Sequence, residues 1–294
     1  MNYTISQYGA SLRASTLGAE LCSYIDATGQ ERIWPGQADI WPGHAPVLFP
    51  LVGAPKNGEV RFAGKAYPVR KHGFLASREF TLVERGANFL HFAAEADEEI
   101  RASYPYAFAV HTLHFLRPDG FTTEFRVQNC DIRPMPYCIG GHPGFCCPME
   151  PDAVFEDYLL RFERPETGEI VVCPDGELIR GHEFLPALAG GQELPLSHTY
   201  FDEKDALIFP ALASRQVDLI HRESRRGIRF QFADFDVLGV WTKPGVRADY
   251  LCLEPWVGLN AYADETGNFE DKPFVRTVQP GETHTLRYST TLLS

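Results

Sequence analysis

Two side chains in this 294-residue sequence could form a proton-transfer pair, His142 and Glu254. His142 lies in the run Ile-Gly-Gly-His-Pro-Gly-Phe, whose irregular backbone would let a ligand come close. Glu254 has almost only apolar neighbours, and the burial that they predict would raise the pKa of its carboxyl group towards the range of a general base. Each residue also has a structural alternative, because His142 could be an ordinary turn histidine and Glu254 could bind backbone amides.

Other polar and aromatic side chains could bind a ligand beside that pair. His72 lies in a Lys-His-Gly-Phe run, and Asp205 opens a strand-like run, where a simple turn residue is at least as frequent. Trp241 and Trp256 could stack on the apolar face of a sugar ring, although core packing is the commoner role of tryptophan in β proteins. These residues lie far apart in the chain, so the fold must bring them together.

Sequence signatures of cofactor and metal chemistry are absent. The chain has no glycine-rich dinucleotide or phosphate-binding motif, no Gly-x-Ser-x-Gly motif and no His-Glu-x-x-His motif. His111 and His114 have the spacing of a metal pair on a helix, but in a strand residues three apart point to opposite faces. We therefore expect neither a cofactor nor a bound metal.

Composition restricts the partners and the compartment. A formal charge of −12, from 27 basic and 39 acidic residues, argues against nucleic acid or an anionic membrane as a partner. No apolar run reaches membrane-spanning length, and no secretion signal follows Met1. Seven cysteines, two of them adjacent, are typical of free thiols in a reducing compartment. The sequence predicts a cytoplasmic protein.

The elements that must position these residues are mainly strands. Residues 123–128 place Phe125 and Val127 on one face and polar side chains on the other, and similar alternation recurs towards the C-terminus. One short helix is predicted around residues 152–160. Glycine and proline are spread along the chain instead of marking a linker. The sequence thus predicts a single all-β domain over residues 1–294, folded as a large antiparallel β-sandwich.

Several short motifs, in order along nearly the whole chain, resemble the aldose 1-epimerase family. They are Trp34-Pro-Gly, Ala45-Pro-Val-Leu-Phe-Pro-Leu-Val-Gly53, His72-Gly-Phe74, Tyr104-Pro-Tyr106, Gly140-Gly-His-Pro-Gly-Phe145, Asp205-Ala-Leu207 and Glu254-Pro-Trp256. More narrowly, the chain is similar to the LacX-like branch. The resemblance implies a galactose mutarotase-like supersandwich with the sugar in an open groove. It also implies that His142 is the general acid, that Glu254 is the general base, and that His72 and Asp205 bind the sugar.

One position departs from the family pattern. Many members carry an arginine directly after the glycine of the first segment, where it contacts the sugar, and this chain has Ala54. Arg78 or Lys243 could supply the missing cation, and we include both among the expected substrate contacts.

The activity implied is mutarotation, in which an acid and a base open the ring of a hexose so that its α and β anomers interconvert. The expected partner is a small sugar, and the expected assembly is a monomer or a homodimer. Two alternatives stay open. A sugar-6-phosphate 1-epimerase would need a cationic pocket, drawn from Arg70, Lys71, Arg78 or Lys243. A non-catalytic carbohydrate sensor would keep only the groove. A glycosidase with two carboxylates ranks last, because no second carboxylate has comparable surroundings.

Overall fold

The protein consists mainly of antiparallel strands. The computed structural model describes residues 1–294, apart from the side chain of Asp175. In this described part, two short α-helices, α1 (Glu98–Arg101) and α2 (His198–Lys204), accompany 24 strands. The strands of the first half are β1 (Asn2–Gln7), β2 (Ala10–Ser15), β3 (Leu21–Ile25), β4 (Val47–Leu48), β5 (Glu59–Phe62), β6 (Lys65–Pro68), β7 (Thr81–Arg85), β8 (Phe89–Glu95), β9 (Phe108–Arg117), β10 (Gly120–Asn129), β11 (Met135–Tyr137) and β12 (Ile139–Gly141). Those of the second half are β13 (Gly144–Cys146), β14 (Tyr158–Phe162), β15 (Glu169–Val172), β16 (Gly181–Phe184), β17 (Glu193–Pro195), β18 (Leu207–Phe209), β19 (Gln216–His221), β20 (Gly227–Gln231), β21 (Val237–Trp241), β22 (Tyr250–Val257), β23 (Arg276–Val278) and β24 (Thr283–Leu293).

Two large antiparallel sheets pack face to face. The first has nine strands in the order β17-β14-β19-β20-β24-β10-β9-β8-β7, and the second has the order β18-β21-β22-β12-β4 with β13 also paired to β22. Aromatic rings join their inner faces: Phe145 lies 5.9 Å from Phe230, and Phe162 lies 5.7 Å from Phe209, between ring centroids. The main hydrophobic core lies between the sheets. The prediction of an antiparallel β-sandwich is confirmed, whereas the single domain stays a prediction.

Strand β10 contains the alternating pattern found in the sequence. Phe125 and Val127 are buried in the core. Glu124, on the opposite face, is only 1% exposed, because Arg126 and Arg287 on the same surface both form ion pairs with its carboxylate. Alternation therefore predicted the inner face correctly, but the polar face also holds a buried charge, which is paired as such charges must be.

The helix predicted around residues 152–160 is only one 3-10 turn, Phe155–Asp157, and the prediction is wrong for the residues that follow. Tyr158–Phe162 forms β14, which pairs with β17 on one side and β19 on the other. Pairing on both sides satisfies the backbone and buries Tyr158, Leu160 and Phe162, so tertiary contacts outweigh local propensity. The seven-residue helix α2, which the sequence did not predict, begins after Ser197, whose side chain accepts a hydrogen bond from the Thr199 amide. No helix in the described part is long and apolar enough to span a membrane.

The second sheet positions the candidate residues. Strand β22 carries Glu254, its neighbour β12 ends directly before His142, and its other neighbour β21 ends at Trp241. Strand β18, beside β21, begins two residues after Asp205. Antiparallel pairing of short segments thus brings together residues that lie more than 100 positions apart in the chain.

Candidate active site

A cleft on the second sheet is lined by six of the eight residues that the sequence predicted as site residues. They are His72, His142, Asp205, Trp241, Glu254 and Trp256. Among the described residues, its lining also includes Lys71, Cys173 and Asn260, which were not among the predicted site residues. The sequence suggested Lys71 only for the cationic pocket of the phosphate-specific alternative, and its position directly before His72 was a second signal that could have added it to the site.

The alternation of β22 explains why Glu254 faces the cleft although its chain neighbours are apolar. Leu251 and Leu253 belong to the core between the sheets, and Phe145, the cross-strand partner of Leu251, contacts the nine-stranded sheet. Because successive side chains point to opposite faces, Glu254 points away from Leu251 and Leu253 and into the cleft that Trp256 also lines. Glu254 is nevertheless only 2% exposed, so its carboxyl group is both buried and directed into the cleft.

Two glycines make room for the indole ring of Trp256. A Cβ atom on Gly140 of β12 would lie 2.7 Å from Trp256 Cδ1, and one on Gly239 of β21 would lie 3.0 Å from the same ring. Both glycines are in strands that pair with β22, so the ring can lie across the sheet surface beside Glu254. The first glycine of the Gly-Gly sequence before His142 therefore makes room for the cleft tryptophan, whereas a Cβ on the second, Gly141, would lie 2.8 Å from the ring of Tyr288.

The central feature of the cleft is the contact between His142 and Glu254. His142 Nε2 lies 3.2 Å from Glu254 Oε2, and both side chains are largely buried. Burial lowers the pKa of His142 to about 3 and raises the pKa of Glu254 well above its usual value. Among the described residues, Glu254 Oε2 and His142 Nδ1 have no hydrogen-bond partner of good geometry. A buried carboxylate oxygen without such a partner is a place where a ligand hydroxyl group can bind.

His72 is held as a neutral hydrogen-bond donor. Its Nδ1 accepts a hydrogen bond of 3.2 Å from the amide of Gly53. Burial, together with the charges of His142 and Lys71, lowers the pKa of His72 well below its usual value, so the ring is neutral and carries its hydrogen on Nε2. The ring lies 5.9 Å from that of His142, between centroids. The Nε2–H group is thus available to a ligand in the cleft.

The turn that presents His72 depends on the following glycine. A Cβ on Gly73, which has a φ of +73°, would lie 2.0 Å from the carbonyl oxygen of Phe49. The segments are also joined by backbone hydrogen bonds from His72 to Gly53 and from Phe74 to Phe49. The His-Gly-Phe sequence therefore fits this close approach of two chain segments, which no side chain at position 73 would permit.

Arg78 does not line the cleft, contrary to the prediction. Its Nη1 atom lies 2.8 Å from Glu99 Oε2 and 3.8 Å from Asp97 Oδ2, at the start of α1. Ala54 is buried and its carbonyl accepts a hydrogen bond from the amide of Ala261. The sequence could not reveal the ion pairs of Arg78 with Glu99 and Asp97, because they depend on where α1 lies in the fold.

Lys243 does not line the cleft either, and its ammonium group holds a loop instead. Nζ donates hydrogen bonds to the carbonyl oxygens of Ile40, at 2.6 Å, and Asp39, at 3.3 Å. The next residue, Trp41, has its ring centroid 5.0 Å from that of His142 and 5.5 Å from that of Trp241. Lys243 therefore does not line the cleft but binds a loop beside it. The tryptophan of that loop, Trp41, packs against His142, the candidate acid.

We expect Trp41→Ala to raise the pKa of His142, because burial is the main cause of its lowered value. The acid limb of the pH–rate profile for the expected mutarotation should move to higher pH. The rate of mutarotation should fall about tenfold, because the His142 ring loses its contact with the Trp41 ring. Lys243→Met should shift the profile in the same direction by less. Lys56→Met is the matched control, because Lys56 Nζ also donates to a carbonyl group, that of Glu265, but outside the cleft. An unchanged profile in both test variants would contradict this role of the loop.

Two side-chain groups have the donor atoms of a metal site. His142, Cys252 and Glu254 form one, Glu20, Cys22 and His44 form the other, and the ligand atoms within each lie within 4.8 Å of one another.

The two histidines of β9 that have metal-like spacing, His111 and His114, have other partners. His111 contacts His91, whereas His114 is buried and bonded to Thr123 and the Ala19 carbonyl, so the prediction of opposite faces is confirmed. The absence of a metal stays a prediction.

Comparison with known proteins agrees with this architecture. The family model described as aldose 1-epimerase matches residues 1–291. The plasmid-encoded protein LacX of Lactococcus lactis subsp. lactis is 34% identical over 291 residues, which are 97% of each chain. The galactose mutarotase related enzyme of Lactobacillus acidophilus superimposes with a TM-score of 0.91 at 28% identity, covering 100% of this chain and 98% of that one. A galactose mutarotase-like protein of Lactobacillus casei gives a TM-score of 0.91 at 26% identity, with both chains covered completely. The fold is galactose mutarotase-like, and the chain belongs to the aldose 1-epimerase family.

Proposed function

We propose that the protein is a mutarotase that interconverts the α and β anomers of a neutral hexose. The observation that carries the proposal is the pair of buried proton carriers in the cleft, His142 Nε2 and Glu254 Oε2, 3.2 Å apart. Mutarotation needs one group that gives a proton to the ring oxygen and one that takes a proton from the anomeric hydroxyl. The relatives described as galactose mutarotase-like support the same chemistry.

The reaction conserves the protons of the pair. His142, as an imidazolium, gives its proton to the ring oxygen while Glu254, as a carboxylate, takes the proton of the C1 hydroxyl group. The bond between C1 and the ring oxygen breaks, and C1 becomes an aldehyde. After rotation about the C1–C2 bond, neutral His142 takes the proton of the C5 hydroxyl and protonated Glu254 returns its proton to the aldehyde oxygen. The ring closes on the other face, and the pair has neither gained nor lost a proton.

Burial and neighbouring charge favour different forms of this pair. Burial favours neutral His142 and protonated Glu254, which is the form left after ring opening. The ammonium group of Lys71 acts against burial at Glu254, because it lowers the pKa of that carboxyl group. Both forms contain one proton, which needs to cross only the 3.2 Å between the two atoms. The pair is therefore suited to both halves of the reaction.

The two alternatives have weaker support. Among the described residues, Lys71 is the single lysine or arginine that lines the cleft, whereas a phosphate-binding pocket normally gathers several cationic groups. Asp205 also lines the cleft and would repel a phosphate group. A non-catalytic sensor would need neither the contact between His142 and Glu254 nor the burial of both groups.

Polarimetry of freshly dissolved α-glucose and α-galactose tests the proposal. The purified protein should accelerate the relaxation of optical rotation in proportion to its concentration, above the spontaneous rate in the same buffer. Trp41, Trp241 and Trp256 lie in or beside the cleft, so sugar binding can be followed separately by tryptophan fluorescence. A fluorescence response without any acceleration would favour the sensor, and acceleration restricted to hexose 6-phosphates would favour the phosphate-specific alternative.

A further inference from the structure

Among the described residues, Lys71 differs in its position from the two cations that the sequence suggested as sugar contacts, Arg78 and Lys243. It lines the cleft, whereas Arg78 is paired with carboxylates outside it and Lys243 is bound to backbone carbonyl groups. It also directly precedes His72, in the turn that is fixed against Phe49 and Gly53. The cation is therefore carried by the same rigid segment that presents a proposed sugar-binding histidine.

The ammonium group of Lys71 and the carboxylate of Asp205 converge at one point of the cleft. A Cβ atom on Gly176 would lie 2.6 Å from Lys71 Nζ and 2.4 Å from Asp205 Oδ2, so these two atoms are at most about 5 Å apart. The glycine thus leaves space for both charged ends over its backbone. Its φ of +65° is a second reason why other residues would be strained there.

This arrangement matches the hydrogen-bonding pattern of a diol. An ammonium group only donates hydrogen bonds, and an ionised carboxylate only accepts them. Adjacent hydroxyl groups of a hexose can accept from the first and donate to the second. An anionic sugar, in contrast, would bring a negative group close to Asp205.

We propose that Lys71 is the specificity-determining cation of the cleft, and that with Asp205 it binds two adjacent hydroxyl groups of a neutral hexose. This inference rests on the proposed mutarotase function and names the side chains that select the neutral sugar. The ammonium charge also acts on the proton carriers, since it lowers the pKa of both Glu254 and His142. Lys71 therefore has two separable effects, one on sugar affinity and one on the pH range of activity.

Lys71→Met, which keeps the apolar stem of the side chain and removes only its ammonium group, tests both effects. The KM for glucose or galactose should rise about ten- to a hundredfold, as expected for the loss of a hydrogen bond from a charged donor. Both limbs of the pH–rate profile should move to higher pH, because the remaining acidic and basic groups bind their protons more tightly. A residue that only supported the fold would not shift both limbs in this direction. Lys65→Met, at an exposed position of β6 outside the cleft, is the matched control.

Deoxy sugars identify the hydroxyl group that Lys71 binds. With glucose analogues lacking one hydroxyl group each, the analogue that lacks the group bound by Lys71 should have nearly the same KM with wild type and Lys71→Met. Asp205→Asn should show the same insensitivity for the analogue that lacks the neighbouring hydroxyl.

Three results would overturn the inference while leaving the mutarotase function intact. They are an unchanged KM in Lys71→Met, equal sensitivity of every analogue to this substitution, and saturation by a hexuronate or hexose 6-phosphate at a tenth of the concentration needed for neutral hexoses. Failure of the mutarotase function itself would look different, because wild type would then not accelerate the relaxation of any of these sugars.

Discussion

Glu254→Gln is expected to remove nearly all mutarotation while the protein stays folded and binds sugar. Gln has the shape of the glutamate side chain but cannot take the proton of the anomeric hydroxyl. A well-placed general base contributes about 10²–10⁴-fold to the rate, and the loss should be of this size. Polarimetry measures the rate, and tryptophan fluorescence measures binding in the same samples. A variant that relaxed optical rotation as fast as wild type would show that Glu254 is not the base.

Stability separates this catalytic effect from damage to the fold. Glu254 is 2% exposed and its Oε2 atom has no well-oriented partner among the described residues. At neutral pH a neutral amide avoids the cost of either burying the carboxylate or protonating it, and it can donate to His142, so the thermal midpoint of Glu254→Gln should be equal to or above that of wild type. Glu124→Gln is the matched control, because Glu124 is equally buried but pairs with Arg126 and Arg287 outside the cleft. This control should lower the thermal midpoint and leave kcat unchanged.

The sequence predicted the fold and six of the twelve described residues that line the cleft, because local patterns and the family motifs are both visible in it. Alternation in β10 indicates which residues face the core, and the structure confirms it at Phe125 and Val127. The glycines around His142 and after His72 lie where a neighbouring chain segment comes too close for a side chain, and such glycines can be recognised in the sequence. Alternation and glycine positions can both be identified without knowing which segments lie side by side.

What the sequence could not predict depends on contacts between distant segments. Lys243 binds the carbonyl of Ile40, which lies 203 positions earlier, and nothing near either residue indicates that contact. Trp41 packs against His142 from the loop that Lys243 binds. The charge of Lys243 suggested a sugar contact, but a lysine can equally bind backbone carbonyl groups, and the fold decides between these roles.

His142→Asn is the second substitution expected to have a large effect, again about 10²–10⁴-fold on the rate. Asparagine can occupy the position and form hydrogen bonds, but it cannot deliver a proton to the ring oxygen. His72→Asn should cost less, because the His72 ring is bound through Nδ1 to Gly53 and serves as a neutral donor to the sugar. His182→Asn, at the surface and paired with Glu169, should leave the rate unchanged. A near-complete loss at His72 with normal activity at His142 would assign the acid role to His72.

The pH dependence of the residual activity should reverse its direction in His142→Asn. In wild type the pair works with one proton. A second proton binds only near the lowered pKa of His142, about 3, and the last proton leaves only above the raised pKa of Glu254. The wild-type rate should therefore be constant between these limits and fall as the solution becomes alkaline. In the variant, Glu254 acts alone and must be ionised, so the rate should rise with pH through its pKa and then stay constant. Measurement of kcat from pH 4 to 10, corrected for spontaneous mutarotation, distinguishes the two profiles. An alkaline fall of the same form in both proteins would show that His142 and Glu254 do not share the proton on which the proposed mechanism depends.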